Sequence, residues 1–193
     1  KELRESKGTC ACNLFKAMNL DYIYVEDGNN LETLIHTFYD IKDINHPIVV
    51  HINTQKGKGY QIAEENKENW HWCMPFDIET GKPKVTFEGE NYGDLTADYL
   101  LYKMKKDSKV VALVAGVPTN IGFTKDKREQ AGKQFVDVGI AEEHAIAMAS
   151  GIAKNGGKPV FATHSSFMQR TYDQLSQDLC VNNNPATILV NTA

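Results

Sequence analysis

Several short runs in this chain are apolar on nearly every residue, and they limit the fold more than any other feature. They are Tyr22-Ile23-Tyr24-Val25, Ile48-Val49-Val50-His51-Ile52, Val110–Val114, Phe135–Val138, Pro159–Thr163 and Thr187–Val190. A strand with one wet face alternates apolar and polar residues. A strand without alternation is covered on both faces, as in a parallel sheet held between layers of helix. Between the runs, apolar residues recur at helical spacing. Leu31, Leu34, Ile35 and Phe38 make one such stripe, with Asn30 as its N-cap. Leu95, Tyr99, Leu100 and Met104 make another, and residues 141–154 and 167–180 read as two further helices. A short helix over residues 11–18 closes at Asn19. Strand, helix and strand within about thirty residues form a βαβ unit, which requires parallel strands. The expected class is α/β, with parallel sheets and flanking helices.

Residues 53–76 lack periodicity and read as a long functional loop, and residues 77–93 are polar and rich in Gly and Pro, as in a linker. The chain therefore divides into residues 1–84 and 85–193. A length of 193 residues suits one large domain or two small ones. The net charge of -4 with no basic stripe argues against a nucleic-acid partner. No apolar run approaches the roughly 20 residues of a membrane helix, and no signal sequence opens the chain. Cys10, Cys12, Cys73 and Cys180 read as reduced thiols of a cytoplasmic protein. The start at Lys1 and the stop just after a strand lead us to expect a central fragment of a longer protein.

Ligands of parallel α/β sheets gather at the carboxyl ends of the strands. Three polar segments leave strands here: Gly139–His144, His164–Arg170, and Gln55–Tyr60 with the later Trp70-His71-Trp72. Glu142 and Glu143 open a helix, where acidic side chains complement the helix dipole by ~0.3–1 kcal/mol. A second reading rests on Ala145, Ala147, Ala149 and Gly151, a small-residue face that permits close packing. Desolvation beside such a face favours the protonated form of Glu142 and suits proton chemistry. His71 reads as packing between two tryptophans or as a functional loop residue. Lys56-Gly57-Lys58-Gly59 reads as a solvated basic turn and does not match a P-loop. Phe167 and Met168 fit a helix core, and Arg170 fits either a surface cation or a phosphate fork. Asp27-Gly28 with Asn53 mimics a diphosphate-metal motif, but Glu26 stands where that motif begins with Gly. It reads as a turn and helix entry.

Asp137-Val138-Gly139-Ile140-Ala141-Glu142-Glu143-His144-Ala145 resembles the signature of the 1-deoxy-D-xylulose-5-phosphate synthase family, usually DVGIAEQHA. Gly157-Lys158-Pro159-Val160 follows, and Ser166–Gln174 resembles that family's STFLQRAYDQ. Upstream, Asp21-Tyr22-Ile23, Asp27-Gly28, His51-Ile52, Lys56–Tyr60, Ala63-Glu64 and His71 keep the family's order. The resemblance implies parts of two transketolase-like domains. Residues 1–84 would end the diphosphate-binding domain, and residues 85–193 would begin the pyrimidine-binding domain.

It implies a transferase that uses thiamine diphosphate and Mg²⁺, with the metal motif outside this chain. Pyruvate would lose CO2 and join glyceraldehyde 3-phosphate as 1-deoxy-D-xylulose 5-phosphate, a precursor of isoprenoids. The parent would be a homodimer, and the fragment alone inactive. Among the residues, Glu142 would hydrogen-bond the aminopyrimidine ring and Phe167 would stack on it, with Ile140 and Lys56 also at the cofactor. His71 and Lys56 would assist proton transfer and charge stabilisation. Arg170 would contact the aldehyde's phosphate, and His164 would face substrate. Three departures bear on the substrate: Glu143 for Gln, His164 for Tyr, and an unusual Thr119–Phe123. They leave open a transketolase-like enzyme with other ketose or aldehyde substrates. A non-catalytic α/β interaction module is the remaining alternative.

Overall fold

The computed structural model describes residues 1–86 and 88–192. The chain forms two compact units, Lys1–Phe87 and Glu88–Ala193. No helix among the described residues is long and apolar enough to cross a membrane.

The first unit runs α1 (Glu2–Glu5), α2 (Leu14–Ala17), β1 (Asp21–Val25), α3 (Leu31–Ile41), β2 (Ile48–Ile52) and α4 (Gln61–Glu65). β1 and β2 pair in parallel from Asp21↔Ile48 to Val25↔Ile52, as the βαβ pattern requires. The helix expected over 11–18 starts only at Leu14. Asn13 is buried, and its Oδ1 accepts from the Phe15 and Lys16 N–H groups, which makes it the cap and not a helical residue. Asn19 takes the left-handed conformation at φ 60°, as a closing residue should. Asn30 caps α3 through Thr33 N at 3.0 Å. The apolar stripe of α3 has the expected spacing, yet Leu31, Ile35 and Phe38 stay exposed. Gly28 has no room for a side chain, because a Cβ there would lie 2.6 Å from the Asn53 carbonyl oxygen. That close approach accounts for Asp27-Gly28 as a turn. Residues 53–76 are more ordered than their lack of periodicity predicts. They include α4, too short to show a period, and Trp70 packs edge-on against Phe76 at 4.5 Å and Tyr60 at 5.2 Å.

The second unit runs α5 (Tyr92–Lys106), β3 (Val110–Val114), a 3₁₀ turn (Pro118–Ile121), α6 (Lys125–Ala131), β4 (Phe135–Asp137), α7 (Glu142–Lys154) and β5 (Lys158–His164). It continues through α8 (Ser165–Met168), a 3₁₀ turn (Gln169–Thr171), α9 (Tyr172–Gln174), a π-helical stretch (Leu175–Val181) and β6 (Thr187–Asn191). The four strands are all parallel, in the order β4-β3-β5-β6. Ala112, Val114 and Ala162 pack with Ala97, Leu100 and Met104 of α5 on one face. Leu113 and Phe161 pack with Ala145, Ile146 and Ala149 of α7 on the other. Both faces are dry, which is why these strands carry no polar alternation.

Three expectations for this unit change. Ala145 and Ala149 are buried, whereas Ala147 and Gly151 are exposed. Residues two apart cannot share a helix face, so the small-residue face is half as wide as the sequence suggested. The helix over 167–180 is broken into four short turns. Thr171 Oγ1 donates to the Met168 carbonyl at 2.8 Å, and Ser150 Oγ donates to the Asp178 carbonyl at 2.7 Å. Hydroxyls that take up backbone carbonyls compete with the regular ladder. α6, which the sequence reading missed, is Lys-Asp-Lys-Arg-Glu-Gln-Ala and too polar to show a period.

Phe161 is fully buried between β5 and α7. Phe161→Ala is expected to destabilise the second unit by about 3–5 kcal/mol, read as a lowered urea midpoint with an unchanged slope. Asp107, which caps the end of α5, accepts from Lys158 Nζ at 2.7 Å. That bond, with the Lys109 N–H, holds its carboxyl below the ordinary carboxylate range. A lowered folded value contributes stability above the unfolded value of about 3.9 and loses it as pH falls through the folded one. Lys158→Met is therefore expected to flatten the fall of Tm below about pH 4, measured by thermal scans across pH.

Candidate active site

The loops that leave β3 and β4 converge on one carboxylate, which sets the entry to α7. Asp137 Oδ1 accepts from Gly116 N at 2.8 Å and Gly139 N at 2.9 Å, tying together the loops that leave β3 and β4. Gly139 takes φ +72°, a conformation that favours glycine, and turns the chain at once into Ile140 and Ala141. Ile140 is 81% exposed at the tip of the turn. Ala141 offers no side-chain cap, so the first N–H groups of α7 have no side-chain acceptor at the N-cap.

Glu142 begins α7 and is 1% exposed. Its Oε2 is buried and makes no hydrogen bond among the described residues. Arg170 Nη1 lies 3.5 Å from that oxygen, and Arg170 Nε lies 3.6 Å from Glu143 Oε1. These are loose ion pairs, longer than charge-assisted hydrogen bonds. Leaving a buried carboxyl oxygen without a hydrogen bond costs about 1–3 kcal/mol or more, so the position calls for a bonded partner. Glu142 thus stands in the first turn of α7, where a carboxylate complements the helix dipole, and it is buried there.

Phe167 and Met168 separate. Met168 packs against the core on the α7 face, while Phe167 is 37% exposed and presents its ring beside the site. His164, the last residue of β5, stands edge-on to Phe167 with ring centroids 5.5 Å apart at 80°. Its Nε2 is bonded to Asn120 Nδ2, and its Nδ1 is buried without a partner among the described residues. Thr163 Oγ1 and Gln174 Oε1 are likewise buried and unbonded. Sequence reasoning missed Asn120, Thr163 and Gln174.

The first unit holds the remaining sequence-derived candidates. Lys56 Nζ contacts His71 Nδ1, so the two residues meet across the loop although both are exposed. The turn carrying Lys56 is fixed by Glu64, whose Oε1 accepts from Gly59 N at 2.8 Å. The fold thus groups Ile140, Glu142, His164, Phe167 and Arg170 in one unit, and Lys56 with His71 in the other.

Comparison with known proteins identifies related sequences over most of the chain. Residues 91–193 match the family model of the transketolase pyrimidine-binding domain, and residues 2–54 match that of 1-deoxy-D-xylulose-5-phosphate synthase. A 1-deoxy-D-xylulose-5-phosphate synthase of Clostridium perfringens (strain SM101 / Type A) is 40% identical over 179 residues, 93% of this chain and 29% of the relative. That of Halothermothrix orenii is 38% identical over 180 residues, covering 93% and 28%. Synthase 1 of Geobacter sulfurreducens is 40% identical over 173 residues, covering 89% and 27%. The chain spans less than a third of the length of these relatives. With parallel α/β architecture and a family match over more than half its residues, the chain belongs to the transketolase pyrimidine-binding domain family, in a form similar to 1-deoxy-D-xylulose-5-phosphate synthases.

Proposed function

We propose that this chain supplies part of the active site of a thiamine-diphosphate-dependent carboligase. The enzyme would take a two-carbon unit from pyruvate, release CO2, and join that unit to glyceraldehyde 3-phosphate as 1-deoxy-D-xylulose 5-phosphate. The observation that carries this reading is the buried, unbonded Oε2 of Glu142 at the start of α7. A carboxyl group in that state fits a heterocyclic ring nitrogen, with which it shares a proton. The half-exposed ring of Phe167 fits an aromatic ring by stacking. The exposed Ile140 supplies apolar contact to the same ring. An aminopyrimidine satisfies all three, so the residues present fit thiamine diphosphate. When bound, that cofactor supplies the nucleophilic carbon to which the oxo acid adds.

The other side chains take their roles from their geometry. Arg170 is held only loosely by Glu142 and Glu143, and its planar fork suits the phosphate of the aldehyde. Lys56 donates to Nδ1 of His71, which leaves Nε2 as the nitrogen carrying the proton in the neutral ring. His71 then serves as a proton donor with Lys56 as its cationic support. His164 faces the substrate. Residues 1–84 form the end of the diphosphate-binding domain and 85–193 the start of the pyrimidine-binding domain. The diphosphate and Mg²⁺ are held by residues outside this chain, which makes the 193-residue chain alone inactive. The full enzyme is a cytoplasmic homodimer on the route to isoprenoid precursors.

In the full-length protein, Glu142→Ala is expected to lower CO2 release from pyruvate by about 10²- to 10⁴-fold, measured with thiamine diphosphate and Mg²⁺ present. Turnover at the wild-type rate in that variant overturns the assignment. Activity with ketose phosphates, and none with pyruvate and glyceraldehyde 3-phosphate, moves the chain to a transketolase-type reaction.

A further inference from the structure

Asn120 and His164 lie far apart in sequence, and the fold brings their side chains into contact. Asn120 lies in the 3₁₀ turn after β3, His164 lies at the end of β5, and 44 residues separate them. Asn120 Nδ2 donates to His164 Nε2. The turn that presents Asn120 is closed by Gly122 N on the Thr119 carbonyl at 3.0 Å and by Phe123 N on the Pro118 carbonyl at 3.1 Å. The Asn120 carbonyl accepts in turn from Asn191 Nδ2 at 3.1 Å, and Asn191 is the register partner of His164 on β6. Asn120 is therefore anchored to the strand next to the one that carries the histidine.

A neutral imidazole has one N–H, and its two nitrogens divide the roles of donor and acceptor. With Nε2 accepting from the amide NH2 group, which can only donate, the proton of the neutral ring must sit on Nδ1. That nitrogen is buried and has no partner among the described residues, while the ring it belongs to stands against Phe167 at the open end of the site. A buried N–H without an acceptor is rare in folded proteins and points to a missing ligand atom.

We propose that Asn120 is a positioning residue that fixes His164 as its Nδ1–H tautomer, and that His164 so held is a specificity-determining donor to a carbonyl or carboxylate oxygen of the substrate. The proposal deepens the carboligase reading and rests on it. A phenol hydroxyl both donates and accepts, whereas Nδ1–H only donates. The pair therefore favours substrates with an acceptor oxygen at this point over those with a hydroxyl that must donate.

The tautomer can be read on the 193-residue chain labelled with ¹⁵N-histidine, by two- and three-bond ¹H–¹⁵N correlation. His164 is expected to show protonated Nδ1 and bare Nε2. Asn120→Asp, whose carboxylate accepts from the ring, is expected to reverse the assignment. Nε2–H in the wild type, or a tautomer indifferent to Asn120→Asp, overturns the role of Asn120. In the full-length protein, His164→Leu is expected to raise KM for pyruvate or for glyceraldehyde 3-phosphate about tenfold with a smaller change in kcat, the size of one lost hydrogen bond. His164→Asn places an amide N–H near the Nδ1 position and is expected to recover most of that loss. Equal losses in Leu and Asn variants, or no loss in Leu, overturn the donor role. If the wild type turns over neither substrate, the carboligase reading and with it the donor role fall, while the tautomer still decides the pairing.

Discussion

Burial of β3 and β5 on both faces governs the geometry of the second unit. Leu113 and Phe161 face α7, while Ala112, Val114 and Ala162 face α5, and all five are essentially inaccessible to water. For both helices to lie close to the sheet, the residues between must be small where backbones approach. Ala145 and Ala149 on α7 and Ala97 on α5 meet that need. The close seating of α7 carries its first residue inside with it. Glu142 is buried at the start of a helix that packs against Leu113 and Phe161, and its Oε2 makes no hydrogen bond among the described residues.

A fold that buries a carboxyl oxygen without a hydrogen bond gives up stability at that point. The end of β5 carries two more buried polar atoms without partners among the described residues, on Thr163 and His164, and Gln174 of α9 carries another. Such local violations concentrate where a protein binds something, since the missing partner is then the ligand. The surrounding structure is, by contrast, well bonded. Asp137 clamps two loops with one oxygen, and Ser150 joins the π-helical stretch to α7 while accepting from Asn184 Nδ2 at 2.8 Å. Rigid support with unsatisfied atoms at its rim is the arrangement that pre-organised sites require.

Much of this was legible in the sequence, for identifiable reasons. The apolar runs located all six strands, because burial on both faces leaves a composition that loops do not share. Glu142, Phe167 and Arg170 stood out through wording that resembles known relatives. What was not legible depended on contacts distant in sequence or on side chains acting against the local pattern. The pairing of Asn120 with His164 spans β4 and α7 and has no periodic signature. The hydroxyls of Ser150 and Thr171 break a helix that propensity alone would continue. Asn13 shortens α2 by turning from helix residue into cap. Ala147 and Gly151 were misread because small size was counted without the helical phase.

Glu143 shows how one departure changes the electrostatics of the site while leaving the fold in place. It sits in the first turn of α7, where a carboxylate complements the helix dipole whatever else it does. Its distinctive consequence lies with Arg170, which stands 3.6 Å from Glu143 and 3.5 Å from Glu142. A neutral residue at position 143 would leave Arg170 with only the buried carboxyl of this pair beside it. With Glu143 present, the guanidinium is shared between a buried and a partly exposed carboxylate at nearly equal distances, and neither contact is as short as a charge-assisted hydrogen bond. The charge balance around Arg170 is thus set by two carboxylates together and not by Glu142 alone.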